Sequence, residues 1–367
     1  MKKLYKATVM SPIHIGNGNK ISSLEYFVDS KFVRINMNSL FSDEKFDREG
    51  FVKDVEMGLT RLGERYRSVA EKHKLYELDI STSAKTCLHQ TGGEVAEFTK
   101  TRGGFFIPGS SIKGAVRTAL LWYILKNDEN IRSEMEMHLL DVIREKRVRR
   151  ERVDDEIEKM VFGENPTTDL LKVLHIPDTD ILPHNLFRIE NVKILSTRKV
   201  GYGWKRFSIP VEALRVGSRF RLTMEIDEFF EDEKVLKEIG FEDKISYLSE
   251  LEKICKEFSS MLIDYEIDFF NRYNVDGGLN NIIEFYKRLR DEKGILLRMS
   301  WGSGWHSMTV GTILGDDIME QLRRRYQLGR RRNPPEYVKP YPKTRKLVFE
   351  SDKPAYPMGW LKLEVLK

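Results

Sequence analysis

The most informative stretch of the chain is Phe106-Ile107-Pro108-Gly109-Ser110-Ser111-Ile112-Lys113-Gly114-Ala115-Val116-Arg117-Thr118. Its apolar start, with Phe105 before it, predicts a short strand, and Pro108-Gly109 predicts the turn that ends this strand. Helical spacing of apolar residues then predicts a helix over Ile112 to Lys126. A strand that leads through a tight turn into a helix indicates a fold in which sheets and helices pack together.

The start of this helix has the features of a phosphate site. Ser110 and Ser111 supply hydroxyls next to free backbone N–H groups, and Lys113 and Arg117 lie one turn apart on one face. A P-loop is excluded because Lys113 precedes Gly114 instead of following it. The alternative is an ordinary capped helix with basic residues in solvent.

The flanking sequence predicts further strands and helices on both sides of this stretch. Strands are expected at Leu4–Met10, Leu24–Val28, Lys31–Ile35, Leu174–Ile176, Phe187–Ile194, Phe207–Leu214, Phe220–Ile226, Ile295–Met299, Met308–Leu314, Lys346–Phe349 and Trp360–Val365. Helices are expected over Phe51–Ala70, Asp232–Phe270, Asn280–Glu292 and Asp316–Leu328. Strands and helices alternate in both halves, so the pattern predicts an α+β protein with one domain at 1–228 and another at 229–367.

Residues 127–164 are highly charged and helical in pattern. Six basic residues fall within nine positions there: Arg144, Lys146, Arg147, Arg149, Arg150 and Arg152. We interpret this segment as a helical insertion that projects from the first domain.

Composition excludes several classes of protein. The 367 residues are 40% hydrophobic, which excludes disorder of the whole chain, and no apolar run reaches the length of a membrane helix. Polar residues interrupt any signal peptide, so we expect a cytoplasmic protein that does not act at a membrane. The two cysteines exclude a disulfide framework. Cys87, His89 and His73 lack zinc spacing, so no metal or other cofactor is expected.

Two loops are further candidates for function. The loop Ser300-Trp301-Gly302-Ser303-Gly304-Trp305-His306 has two glycines that allow close approach of a ligand and tryptophans that could stack on bases. A glycine turn with both tryptophans in the core is the alternative. His14 follows the first strand and could serve as a general base or stack on RNA, although histidines at strand ends are more often simply hydrogen-bonded.

Basic clusters recur along the chain although the net charge is only +5. They include Arg198-Lys199, Lys205-Arg206, Arg323-Arg324-Arg325, Arg330-Arg331-Arg332 and the group Lys343, Arg345 and Lys346, with Tyr202, Trp204, Tyr326, Tyr337 and Tyr341 among them. Cations follow phosphates while aromatic rings stack on unpaired bases, so this combination suits single-stranded nucleic acid. Each cluster alone would be an ordinary solvated face.

Several of these pieces together resemble the RAMP superfamily of CRISPR proteins, and most closely the Csm subunit five family of type III-A effector complexes. The matching motifs are Pro12-Ile13-His14-Ile15-Gly16, Ile107–Arg117, Ile209-Pro210-Val211-Glu212-Ala213-Leu214, Trp301–Trp305 with Thr309, Lys343-Thr344-Arg345 and Met358-Gly359-Trp360. Two positions depart from the pattern: Ser300 replaces an expected glycine, and Met308 replaces a basic residue.

The resemblance implies two ferredoxin-like (RRM-like) domains and a noncatalytic subunit. Such a subunit would cap the backbone filament, hold the 3′ part of the CRISPR guide RNA, contact the repeating backbone and small subunits, and support guide 3′-end maturation by recruited host exonucleases. The expected RNA-binding residues are His14, Ser110, Ser111, Lys113, Arg117, Gly302, Gly304, Trp305, Lys343 and Arg345. The alternatives are a guide-processing endoribonuclease that uses His14 as its base, and a protein–protein scaffold.

Overall fold

The computed structural model describes residues 2–145, 149, 153–165, 167–227, 236, 244–332, 335–337 and 339–366. The helices are α1 (Met37–Ser42), α2 (Arg48–Glu56), α3 (Glu64–Ala70), α4 (Thr82–Thr91), α5 (Gly109–Asn127), α6 (Glu129–Arg144), α7 (Asp155–Phe162), α8 (Ile245–Ser249), α9 (Leu251–Tyr273), α10 (Asn280–Arg290) and α11 (Asp316–Tyr326). The strands are β1 (Lys2–Val9), β2 (Gly16–Ile21), β3 (Tyr26–Val28), β4 (Phe32–Ile35), β5 (Lys74–Ile80), β6 (Val95–Phe98), β7 (Lys100–Thr101), β8 (Gly104–Phe105), β9 (Leu174–His175), β10 (Phe187–Thr197), β11 (Tyr202–Leu214), β12 (Arg219–Ile226), β13 (Ile295–Arg298), β14 (Arg330–Arg332), β15 (Pro335–Tyr337), β16 (Thr344–Glu350), β17 (Lys353–Pro357) and β18 (Trp360–Val365).

The first main sheet is built around the N-terminal strand. Its order is β13-β18-β1-β12-β9, and all of its pairs are antiparallel. Tyr5, Ala7 and Val9 alternate toward the core while the residues between them are more exposed, which is the period-two pattern of a half-buried strand. Helices α5 and α9 pack against β13 on the buried side of this sheet.

The second main sheet has the order β2-β6-β11-β10-β5-β4-β3, with β16 also paired to β10 and β17 paired to β16. Its centre is the long hairpin of β10 and β11, whose register shifts between Lys193 and Leu195. Helix α4 packs on β10 and β11, and α10 packs on β17. Sheets covered by helices confirm the predicted α+β class.

Strands from both ends of the chain pair with each other. Residue Ala7 of β1 is paired with Leu363 of β18 on one side and with Phe220 of β12 on the other. Strand β16 likewise pairs with β10. The division into 1–228 and 229–367 therefore remains a prediction, and the two segments share both main sheets.

Helix α5 confirms the helix predicted from the opening stretch. Its buried face includes Ile112, Val116 and Leu120, and it packs against α9 as well as β13. The backbone of α5 comes very close to the backbone of Ile176 at Gly109, where an added Cβ would lie 1.8 Å from the carbonyl oxygen of Ile176. No helix in the described ranges is both long and apolar enough to span a membrane.

The charged insertion is packed more closely than expected. Helix α6 lies against α5 and α11, and Met135, Leu139 and Val142 are buried. The predicted projection from the core is therefore wrong for this helix. Lys146, Arg147, Arg150 and Arg152 lie outside the described residues.

Other expectations are corrected in detail. Residues 308–314 form turns instead of a strand, since Thr309 donates through Oγ1 to the carbonyl of Trp305 and the Trp305 ring fills the space beside Gly311. The predicted helix at Phe51–Ala70 is broken into α2 and α3. Helix α4 was not predicted, and Ser81 begins it by accepting a hydrogen bond from the Ala84 amide.

Candidate nucleic-acid interface

Three loops that are distant in sequence meet at the ends of β1, β13 and β17. The Gly359 amide donates to the carbonyl of Pro12 at 2.9 Å, and the Met299 amide donates to the carbonyl of Gly359 at 2.9 Å. The Trp301 amide donates to the carbonyl of His14 at 3.2 Å. We call residues 12–16, 299–307 and 358–359 the loop cluster. Three of the motifs quoted for the resemblance thus form one surface.

Glycine conformation shapes the central loop of this cluster. Gly302 has φ +90°, and a Cβ on it would lie 2.9 Å from Cγ of Met358. Gly304 has φ +96° with open space around it. Ser300 also has a positive φ of 70°, so the backbone keeps the conformation expected of the missing glycine.

His14 lies inside the loop cluster and is only 3% exposed. Its Nδ1 lies 2.7 Å from the carbonyl oxygen of Glu212, which requires Nδ1 to carry the proton. The ring meets Trp301 edge to face, with 5.6 Å between centroids. Burial lowers the pKa of His14 to about 4, so the ring is neutral at pH 7. A base must reach the proton that it removes, and this burial does not favour the endoribonuclease alternative.

A buried network behind His14 fixes its position. The Glu212 carboxylate accepts hydrogen bonds from the Tyr76 hydroxyl at 2.6 Å, from Lys100 Nζ at 2.6 Å and from the Phe98 amide at 2.8 Å. Glu212 is fully buried, and desolvation raises its pKa. Sequence reasoning missed this role, although a charged residue within the apolar strand Ile209–Leu214 was a usable signal.

The loop cluster presents an aromatic ring with a cation. Lys346 Nζ lies 4.7 Å from the centroid of Trp301, and desolvation lowers the pKa of Lys346. Both residues are half-buried, so each keeps some surface in solvent. An ammonium beside an indole can hold a phosphate and an adjoining base of a single strand. Neither residue was among the predicted binding residues, although both stood in motifs singled out from the sequence.

The start of α5 is already capped. Asp178 accepts a hydrogen bond from the Gly109 amide at 2.8 Å, and the Ser111 amide donates to the carbonyl of Pro108 at 3.0 Å. Ser110 is exposed and Ser111 is half-buried. A carboxylate at this terminus would repel an incoming phosphate, so the geometry does not favour the predicted anion site.

Arg117 and Lys113 lie along the same helix, beside α7. Arg117 pairs with Glu158 at 2.6 Å and with Asp169 at 2.8 Å, and its guanidinium stacks 4.0 Å from the Phe162 ring centroid. Lys113 lies in the same shallow cleft, where desolvation lowers its pKa. Arg117 thus stabilises the insertion, and Lys113 is the more available cation of the two.

The remaining predicted cations differ from each other. Arg345 is buried and binds Glu266 at 2.7 Å, while Arg298 reaches the same carboxylate at 3.1 Å. Arg345 therefore has a structural role, because its ion pair with Glu266 joins β16 to α9. Lys343 is half-buried beside the β10–β11 hairpin, where its carbonyl accepts from the Thr197 amide at 3.0 Å.

Trp305 completes the predicted set. It is half-buried in the loop cluster, and its ring centroid lies 5.1 Å from that of Tyr341. The structure thus gathers His14, Gly302, Gly304 and Trp305 into one region. Within the described residues, no group of three or more His, Cys, Asp or Glu side chains is arranged to hold a metal ion.

The fold and its loops define an α+β protein whose glycine-bearing loops form one surface at the strand ends. A family model, that of the RAMP superfamily, matches residues 6–270, and the chain belongs to this superfamily. The predicted superfamily is thereby confirmed.

Two curated proteins are similar to the chain. It is 23% identical over 387 residues to the CRISPR system Cms protein Csm5 of Methanocaldococcus jannaschii, covering 99% of this chain and 88% of that protein. It is 26% identical over 256 residues to an uncharacterized protein of Aquifex aeolicus, covering 68% of this chain and 90% of the relative. The first match confirms the predicted resemblance to the Csm subunit five family.

Solved structures share the fold. A chain of the cryo-EM structure of a Csm-crRNA-target RNA ternary complex in a type III-A CRISPR-Cas system superposes with a TM-score of 0.75 at 24% identity, covering 99% of this chain and 100% of that one. The crystal structure of T. onnurineus Csm5 gives a TM-score of 0.61 at 22% identity, covering 97% of this chain and 99% of that one.

Proposed function

We propose that the chain is a noncatalytic, guide-RNA-binding subunit of a type III-A Csm effector complex. It acts in the cytoplasm, caps the backbone filament at the 3′ end of the CRISPR guide RNA and contacts the repeating backbone and small subunits. In this position it supports maturation of the guide 3′ end by recruited exonucleases. Membership of the RAMP superfamily and the full-length similarity to a Csm5 protein support this role.

The observation that carries the proposal is the loop cluster. Residues from three distant segments meet there, and Lys346 Nζ lies over the ring of the half-buried Trp301. Gly304 leaves open space beside the backbone for a close ligand, while Gly302 allows the loop to pack against Met358. An extended RNA strand needs a cation for its phosphate and a ring face for its base, and this surface supplies both.

Binding, without bond cleavage, is what these residues perform. His14 is buried and neutral, and its Nδ1–H is held by the Glu212 carbonyl, so it orders the loop beneath Trp301. Lys346 supplies positive charge beside Trp301 of the loop cluster. Catalysis would require a base that reaches a ribose hydroxyl, and the burial of His14 places it away from such contact.

The test uses the chain assembled with its Csm partner subunits and a labelled guide RNA. Fluorescence anisotropy of the labelled RNA is measured across a salt series, with complexes assembled with and without this chain, and the same samples are run on a denaturing gel. We expect tighter, salt-sensitive binding when the chain is present, with intact RNA. Discrete cleavage that requires this chain would establish the endoribonuclease instead. Equal RNA affinity with and without the chain would favour the scaffold.

A further inference from the structure

The hairpin of β10 and β11 carries a basic stretch that the proposed function does not use. Residues 193–208 contain no Asp or Glu, and their cations are Lys193, Arg198, Lys199, Lys205 and Arg206. The side chains of Lys205 and Arg206 are exposed, and neither forms a hydrogen bond or an ion pair with any residue that the structure describes. These two charges are therefore available to an anion, unlike those of Arg345 and Arg117.

An irregularity in strand pairing sets these cations apart from the rest of the sheet. The register of the hairpin shifts between Lys193 and Leu195, where residues 205–207 of β11 stand opposite the single residue Ile194 of β10. Extra residues in such a bulge lack cross-strand partners, and their side chains are redirected. We call residues 205–207 the bulge.

The bulge ends with an exposed aromatic ring. Phe207 is 56% exposed, whereas every other Phe, Tyr and Trp among the described residues is buried or half-buried. A single exposed apolar side chain is ordinary on a protein surface. An exposed ring that directly follows two free cations is less ordinary, because rings that stack on bases and cations that hold phosphates together bind single-stranded nucleic acid.

The ring lies on the same face of the second main sheet as Trp301. Side chains alternate along a strand, so Phe207 shares a face with Ile209, and Ile209 packs against the same small apolar cluster as Trp301. Lys346, which lies over the Trp301 ring, is paired with Ile194 opposite the bulge. Only β10 separates Lys346 from the bulge, so at the usual strand spacing their backbones are about 10 Å apart.

We propose that Phe207 is a second stacking position for the RNA, with Lys205 and Arg206 bound to its phosphates. A strand that holds a base at Trp301 and a phosphate at Lys346 continues across β10 to the bulge, where a further base covers Phe207. The ring favours RNA over an acidic protein segment, because every base offers it a flat face while carboxylates need only the cations. The inference rests on the proposed function, since it starts from RNA at the loop cluster.

The first test replaces Phe207 in the chain assembled with its Csm partner subunits and a labelled guide RNA. Phe207→Leu removes the aromatic face and keeps an apolar side chain, so anisotropy should show an affinity that is lower by roughly fivefold or more. Phe207→Tyr keeps the face and should bind as the wild type does. The control is Met57→Ala, an exposed apolar residue at the end of α2, which should also leave the affinity unchanged. Thermal melting should show that all three variants remain folded, because only exposed side chains change.

An abasic scan separates stacking from a change in the shape of the hairpin. Guide RNAs with a single abasic site at each position are bound to the wild-type complex and to the complex with Phe207→Leu. At one position the loss of the base should weaken binding to the wild type and have no further effect in the variant, because the stacking partner is already absent. Disturbance of the hairpin alone would weaken all of these RNAs alike.

The cations of the bulge are tested by the salt dependence of binding. Lys205→Gln combined with Arg206→Gln should lower the slope of log affinity against log salt concentration by ~1.4, which is ~0.7 for each phosphate contact of a single strand. The matched control is Arg48→Gln combined with Lys53→Gln, two exposed cations of α2, and it should leave the slope unchanged.

Three other outcomes are distinguishable. Wild-type affinity and slope in every bulge variant, with RNA still bound through the chain, would overturn the inference and leave the proposed function standing. A smaller share of complexes that contain the chain, measured by native mass spectrometry, with unaltered RNA affinity of those complexes would make the bulge a protein contact and also overturn the inference. Equal RNA affinity of complexes with and without the wild-type chain would mean that the proposed function itself fails.

Discussion

Glu212 shows how single buried residues control the candidate interface. Its carboxylate is satisfied by Tyr76, Lys100 and the Phe98 amide, while its carbonyl accepts from His14. His14 in turn packs its ring against the edge of Trp301. The position of the half-buried Trp301 ring thus depends on a carboxylate in the core, so the polar residues Glu212 and His14 act here by holding other side chains in place.

The low pKa of His14 predicts a pH-dependent stability. The unfolded chain binds a proton on this residue as the pH falls below 6.5, whereas the folded chain binds it only near pH 4. The free energy of unfolding should therefore fall across this window, by up to about 3 kcal/mol from His14. His14→Asn keeps a side-chain N–H for the Glu212 carbonyl but cannot titrate, so it should lose less stability between pH 7 and pH 4.

Urea unfolding at pH 7, 6, 5 and 4 measures this difference. The exposed His89→Asn variant is the control and should follow the wild-type pH dependence. His306, whose pKa is also lowered to about 4, continues to contribute in every one of these proteins. A wild-type slope in His14→Asn would contradict the assignment of a buried, neutral imidazole.

At the scale of elements, regular patterns were predictable and contacts between distant segments were not. Helix α5 and strand β1 follow clear periodicities, so the sequence was sufficient for both. The apolar residues at 308–314 also look like a strand, but the Trp305 ring occupies the space beside Gly311 and holds the segment in turns. Tertiary packing overrides local propensity there.

Part of the candidate site was likewise predictable from the sequence, and part was not. The glycine loop and the His14 segment were visible as motifs, because Gly and Pro mark turns in any sequence. The pairing of Arg345 with Glu266 was not visible, since 79 positions separate them and both charges are buried only in the folded chain. For this reason the number of basic residues in a sequence cluster overestimates the positive charge that the folded chain leaves at its surface.

Two glycines of the central loop allow a matched comparison. An alanine at 302 would have to adopt an unfavourable φ of +90°, and its Cβ would lie 2.9 Å from Cγ of Met358. An alanine at 304 would also have to adopt an unfavourable φ, of +96°, but its Cβ would meet no other atom within 4 Å. Such backbone strain costs of order 1–3 kcal/mol. Gly302→Ala should therefore lower the free energy of unfolding more than Gly304→Ala, as measured by urea titration. Equal losses would mean that Met358 moves aside without cost.

The buried carboxylate between two arginines gives a stronger test of how α9 is joined to the sheets. Desolvation disfavours the charge on Glu266, but Arg345 and Arg298 outweigh it and lower its pKa. Glu266→Gln would leave two buried guanidinium groups without a counter-charge, so we expect the free energy of unfolding to fall by roughly 3–5 kcal/mol.

The control is Glu252→Gln, which breaks an exposed pair with Lys3 and should lower the free energy of unfolding by less than about 1 kcal/mol. Chemical denaturation measures both, and similar losses would contradict a structural role for the buried pair.

At the scale of the whole molecule, the candidate interface depends on pairing between segments that are distant in sequence. Strand β1 lies between β12 and β18, so the two ends of the sequence meet in one sheet. The loop cluster takes its residues from 12–16, 299–307 and 358–359, which are brought together by that pairing. A variant that destabilises the sheet would therefore also disturb the proposed RNA-binding surface, so RNA-binding variants must be compared by salt dependence as well as by affinity.

The salt dependence of binding distinguishes the two candidate RNA surfaces of the molecule. A cation that contacts a phosphate of a single strand contributes ~0.7 to the slope of log affinity against log salt concentration. Lys346→Ala should lower the slope by this amount, because Lys346 lies over the ring of Trp301 and both side chains keep some surface in solvent. Lys113 is also among the RNA-binding residues expected from the sequence, and a phosphate contact there would give Lys113→Ala the same effect on the slope. The carboxylates that share its cleft, including Glu158 and Asp169, favour an unchanged slope.

The measurement is anisotropy with one labelled guide RNA at several salt concentrations, on the assembled complex. Lys53→Ala, an exposed lysine on α2, is the control for loss of charge alone and should leave the slope unchanged. If Lys113→Ala lowers the slope and Lys346→Ala does not, the RNA follows the start of α5 and the loop cluster is structural. If both variants lower it, one strand crosses both surfaces, and the double variant should then lose ~1.4 because the two contacts are independent.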